Sequence, residues 1–259
     1  MPTVQFAGRV LPATHPFSFW NIPRVNWELK EINLVMTFAI HVDNGAVTVQ
    51  CEINRLGVME ISQLYRRALD LSRVAADAVS FASGIGFTVH LERISIDGSD
   101  PKELVFRQPD VEGLCTAYSL SINGTPEQKQ DVTGILTLLM TEPPLYMALN
   151  DLIQQLLLPH SAGINCGRML DGLKKIVGPA MNDKAGWLVL QEAIRADAAY
   201  LKFISDNSTK PRHGDRTMSN DAITAEAIKR SWIIMNRFLI YRKRGSYPLP
   251  AVEFPILLG

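Results

Sequence analysis

Strict alternation of apolar and polar positions begins at Ile32, runs through Leu34, Met36, Phe38 and Ile40, and resumes in Val47, Val49, Cys51 and Ile53. A period of two places these side chains on one face of a pleated strand. Between the runs, Asn44-Gly45 readily supplies the positive φ values of a tight turn, so the pair predicts a β-hairpin. The period then lengthens: Ile61, Leu64, Ala68, Leu71, Ala75 and Val79 recur at helical spacing up to a stop at Ser83-Gly84. Alternation returns at Phe87, Val89 and Leu91 and changes parity at Ile94 and Ile96, as it would across a bulge at Glu92-Arg93. Residues 103–122 are weaker strand candidates, interrupted by Pro109 and Gly113. Residues 1–30, with Pro2, Pro12, Pro16 and Pro23 among aromatic side chains, predict an irregular arm laid on apolar surface.

Beyond Gly124 every stretch reads as helix. Thr125-Pro126-Glu127-Gln128 is a helix start, with Thr125 as cap and proline at the first turn, where its missing N–H costs nothing. The stripe of this first helix is Val132, Ile135, Leu136 and Leu139; a restart at Glu142-Pro143 leads to Leu145, Leu149, Leu152 and Leu156. A third helix over 161–177 turns Gly163, Cys166, Leu170 and Leu173 inward. A fourth, over 183–204, uses Trp187, Leu190, Ile194, Ala198 and Leu201, and a last, over 221–241, uses Ile228, Trp232, Met235 and Leu239. The expected class is α+β: a small mixed α/β layer over 1–123, a helical bundle over 124–245, and an apolar, proline-rich tail over 246–259 that suits a strap on this chain or on a partner.

Composition changes this picture little. The 259 residues carry 26 basic and 26 acidic side chains, so a nucleic acid would have to be held by a local patch rather than by a global field. Cys51, Cys115 and Cys166 are far apart and make no metal-ligand spacing, and no two histidines stand at such spacing either, so no metal and no cofactor are expected. No segment offers roughly eighteen uninterrupted apolar residues and the start has no secretory pattern, which points to the cytoplasm and away from a membrane. Gly84-Ile85-Gly86 follows a helix and precedes a strand, the reverse of the dinucleotide-binding order, and no GxSxG, Walker or HExxH sequence occurs.

The chemistry-bearing stretch lies between the last two helices, in a polar segment of about sixteen residues, longer than bundle connections usually are. Asp206, Asn207, Arg212, His213 and Asp215 fall within it. Such a set could hold a phosphodiester, with Arg212 as a planar cation, His213 as general acid or base, and Asp206 or Asp215 orienting the imidazole. The bland alternative is that Asp206 or Asn207 caps a helix and Arg212 pairs with a carboxylate. Lys210, Arg216, Arg230 and Arg237 are the flanking cations that could extend a phosphate-binding surface, together with Arg242-Lys243-Arg244, Lys174, Lys175 and Lys202. Cations at a helix C-terminus are also favoured by the macrodipole alone.

A helical bundle with an Asn…His arrangement just before the last long helix resembles the HEPN domains of bacterial conflict and stress systems. The resemblance covers about Leu145 to Arg244 and is carried by Ser205-Asp206-Asn207 through Arg212-His213-Gly214-Asp215 and by the helix that follows. It implies metal-independent endoribonuclease action in a homodimer, with His213 as the histidine and Asn207 as the polar residue. The arginine of that pattern falls on Asp206, which would repel a phosphate; Arg212 is the loop arginine beside the histidine. RNA is the partner this reading implies, in defence or stress response. Two other readings stand beside it: a non-catalytic dimerisation or partner-binding module, and a small-molecule sensor.

Overall fold

The computed structural model describes residues 1–19, 22–29, 33–104, 111, 113–118, 126–158, 161–178, 182–212 and 221–259, without the side chains of 58, 59, 126–132, 157, 210, 212 and 221. The chain divides into two compact units, Met1–Phe106 and Arg107–Gly259.

The first unit is a six-stranded antiparallel sheet in the order β2-β3-β4-β1-β5-β6. Its expected hairpin is β3 (Leu34–Asp43) and β4 (Ala46–Ile53), joined through Asn44 and Gly45 at φ 48° and 77°. The arm of the sequence reading is in large part strand. β1 (Thr3–Leu11) is interior to the sheet, between β4 and β5 (Thr88–Ile96), and β2 (Val25–Leu29) is an edge.

Alternation in β1 is hidden because Gly8 stands where an inward hydrophobe would continue Val4 and Phe6. A β-carbon on Gly8 would lie 2.0 Å from the His90 carbonyl oxygen. That close approach accompanies a register shift: Ala7 pairs with Arg93 and Gly8 with Leu91, so Glu92 is the bulged residue, where the parity change placed it. Part of the remaining arm does coat the sheet, since Phe17 stacks edge-on against Phe19 and Phe87.

Helix α1 (Val58–Ser83) ends on Gly84 at φ 70° and buries Leu64, Ala68, Leu69 and Ala76 with Phe6, Phe38, Val49 and Leu91. The opposite sheet face, with Gln5, Arg9, His41, Gln50 and His90, is exposed. β6 (Lys102–Glu103) closes the sheet; most of 105–125 lies outside the described residues.

The second unit is helical: α2 (Pro126–Thr141), α3 (Pro143–Leu157), α4 (Ala162–Val177), α5 (Asp183–Ile194), α6 (Ala198–Arg212) and α7 (Asp221–Lys243). α4 is central, packed by α3, α5, α6 and α7, and Cys166, Met169, Leu170 and Leu173 are its buried row. The single fourth helix expected over 183–204 is two helices, broken at Arg195, and the second extends to Arg212.

The expected boundary near Gly124 lies outside the described residues, but Val111 and Ala117 already pack in the helical core. The Thr116 and Ala117 amides donate to Asn236 Oδ1, and Lys243 donates to the Ala117 carbonyl. The tail docks on its own chain, with Leu249 buried.

Candidate functional site

Because α6 runs on to Arg212, much of the expected polar loop is helix, and Asp206 and Asn207 sit in the helix body rather than capping its end. Both are engaged locally. Asp206 pairs with Lys202 one turn back, and Asn207 Nδ2 donates to the Phe203 carbonyl at 2.7 Å. Ser208, fully buried, and Thr209 each return a hydroxyl to the Ser205 carbonyl. Pro211 lies in the last turn and has no N–H for the Asn207 carbonyl. Against that carbonyl packs Gly163 of α4, where a β-carbon would come within 2.9 Å of the oxygen.

The helix thus carries Asp206, Asn207, Lys210 and Arg212 to one end of the helical unit, with the side chains of Lys210 and Arg212 outside the described residues. His213, Asp215 and Arg216 lie wholly outside them, so the expected pairing of arginine with histidine has no described geometry.

The flanking cations divide. Arg230 is half-buried: its Nε donates to Glu226 at 2.7 Å, and its guanidinium lies over the rings of Tyr200 and Phe203. That leaves it as a packing residue with a neutralised charge. Arg237, expected among the phosphate-binding cations, is 8% exposed and donates to the carbonyls of Ile194 (3.1 Å), Arg195 (2.9 Å) and Pro255 (2.8 Å). Burial lowers its pKa from the ordinary guanidinium value. This corrects the expectation for Arg237: it is a structural bolt between α7, the α5–α6 junction and the tail.

The basic cluster is also spent on the chain itself. Arg242 pairs with Glu142 and donates to Ser246, and Arg244 forks onto Glu253. Lys174 meets Asp171, Asp183 and the Trp187 ring. The hydrogen bond from Lys174 holds the Asp183 carboxyl below its usual range. Asp197 is likewise held low, first by the Tyr200 amide and then by the Gly259 amide.

Burial pushes the Cys166 thiol up to about 11; it donates to Gln155 Oε1 at 3.2 Å. Among the described residues no group of three or more histidine, cysteine, aspartate or glutamate side chains could hold a metal ion. No helix among them is long and apolar enough to cross a membrane.

Sequence reasoning overlooked Asn236, Arg195 and Asp197, whose polar atoms fasten loop and tail to helix ends. Their only sequence signal was a polar side chain inside or between apolar stripes.

An antiparallel sheet under one long helix, followed by a helical unit centred on α4, defines an α+β protein of two compact units. Each unit matches one half of a single family: residues 4–105 match the N-terminal domain, and residues 132–243 the C-terminal domain, of the domain of unknown function DUF8168. The chain belongs to that family and carries its two domains in order. No curated protein and no solved structure matches it.

Proposed function

We propose that this protein is a non-catalytic assembly module whose helical unit joins a second copy of the chain. One observation carries the reading: over residues 133–158 the charged side chains are paired while uncharged apolar side chains stand outside. Between Thr133 and Leu158 the charged residues are Glu142, paired with Arg242, and Asp151, paired with Arg168 at 3.2 Å. The Thr137 and Thr141 hydroxyls donate to carbonyls of their own helix. Meanwhile Met140 is 78% exposed, and Tyr146, Met147 and Leu136 are about half exposed. Apolar side chains in a surface without charge gain most from a like surface, and methionine adapts its shape to such a partner.

The test is sedimentation of the full chain beside Met140→Glu and Met147→Glu. A concentration-dependent dimer lost in both variants, with helicity unchanged, supports the module; a monomer at millimolar concentration refutes it.

A second reading, metal-independent RNA cleavage in a HEPN-like homodimer, draws on the placement of Asp206, Asn207 and Arg212 at one end of α6. Incubation with RNA in chelator tests it. Fragments ending in 2′,3′-cyclic phosphate, absent with His213→Ala, would move the conclusion to a ribonuclease; intact RNA leaves the module reading standing.

A further inference from the structure

The break between α5 and α6 has one local signal in its own sequence, Asp197 as the cap of α6. From Trp187 to Lys210 there is neither glycine nor proline, and Glu192 to Ala199 are mostly residues that favour helix. Yet Arg195 adopts φ 53° and ψ 60°, the left-handed region that β-carbon-bearing residues disfavour.

The tail and Arg237 of α7 supply the partners that hold the bend. In an unbroken helix the carbonyls of Ala193, Ile194 and Arg195 would accept from the amides of residues 197, 198 and 199. Here outside donors replace those amides. Ala193 O accepts from Leu249 N, Ile194 O from Arg237, and Arg195 O from both Leu257 N and Arg237. The freed Asp197 amide donates to Leu257 O. Asp197 itself then caps the new helix start through Tyr200 N, and its other carboxylate oxygen holds Gly259 N. Arg195 Nε reaches the Phe254 carbonyl at 2.7 Å.

The carbonyls of Ala193, Ile194 and Arg195 and the Asp197 amide therefore have two alternative sets of partners, one supplied by the tail and by Arg237 of α7 and one within a straight helix. Groups that are satisfied in either arrangement make a two-state element.

We propose that the tail over 246–259 is a latch. Docked, it holds α5 and α6 bent; released, it lets Asp183–Arg212 fuse into one helix of about 45 Å. α6 is fixed by the close approach of Asn207 to Gly163 and by buried Leu201 and Ile204, so α5 is the arm that swings. Its departure uncovers Leu190 and Ile194, both fully buried in the latched state.

The experiment is backbone NMR on the full chain beside Leu249→Pro/Leu257→Pro, which removes the two tail amides that donate to the opened carbonyls. Expected are free exchange at Gly259, helical Cα shifts at Arg195 to Asp197, and new protection at Ala198. Adding Arg195→Gly, which favours the left-handed bend and weakens the helix, should reverse the helical shifts.

The latch is overturned if residues 195–198 keep non-helical shifts or turn to coil once the tail exchanges freely. It is equally overturned if the Gly259 amide stays protected with both donors gone. Should protection at Leu170 and Phe238 be lost, the single Leu257→Pro change carries the same test with the core intact.

Discussion

Replacing Arg237 by methionine keeps most of the buried side-chain volume and removes three donated hydrogen bonds. Arg195 O retains Leu257 N as a donor, but Ile194 O and Pro255 O lose the partner that Arg237 gives them. A buried carbonyl left without a donor costs about 1–3 kcal/mol; Ile194 O is such a group, whereas Pro255 is exposed and water can replace its donor, so a loss of about 1–3 kcal/mol is set for the helical unit. The relief of no longer burying a cation works in the opposite direction and keeps the figure from rising further. Arg237→Lys keeps the charge but not the planar fork that reaches three carbonyls at once, and should recover less than half of the loss.

Urea unfolding followed by far-UV circular dichroism measures this as a shift in midpoint at unchanged slope. A loss below about 1 kcal/mol for the methionine variant, or full recovery by lysine, would refute the reasoning that these bonds hold the junction.

Gly8→Ala sets a β-carbon 2.0 Å from the His90 carbonyl oxygen, so β1 and β5 must part; a loss of roughly 3 kcal/mol or more is expected in a thermal melt. The native protein should consume one equivalent of a thiol reagent at pH 8, at exposed Cys115, because Cys51 and Cys166 are buried with thiols pushed up to about 12 and about 11. Peptide mapping reads which cysteine is labelled. Asp197 has a folded pKa below its ordinary 3.8, so its bonds to Tyr200 and Gly259 contribute stability above that value and lose it as pH falls below. Protection of the Gly259 amide relative to its intrinsic exchange rate should fall once pH drops well below 3.8 in the wild type and show no such step in Asp197→Asn, as amide hydrogen exchange would show.

Where local pattern and final structure agree, the physical cause is short-range. The 34–53 hairpin is written in a period of two and an Asn-Gly turn, α1 in its stripe and terminal glycine, and the bulge at Glu92 in a parity change. β1 escaped because the glycine that makes the bulge sterically possible also interrupts the alternation. The α5–α6 break escaped for a different reason: the donors that hold it are on Leu249, Leu257 and Arg237, more than forty positions downstream, and within residues 183–212 the one signal is Asp197 as a cap inside a run of helix formers. The same long-range bonding explains Arg237. A cation on the inward side of a helix looks from sequence like part of a basic patch, and the carbonyls that consume it come from two other segments. The stretch from Asp206 to Arg212 was legible as polar, but not as helix, because Asn, Ser, Thr and Pro all read as turn formers.

The pairing order of the first sheet has a consequence for how the protein is made. All six strands and α1 are complete by residue 103, so the sheet can close while the ribosome is still adding helices. The helical core cannot do so. α4, its central member, has to wait for Phe238 and Leu239 of α7, and the bend before α6 for Leu257. During synthesis α3 and α4 can already pair, but the part of the α4 surface that faces α7 stays uncovered until Phe238 and Leu239 emerge, and a chaperone would find its substrate in that interval.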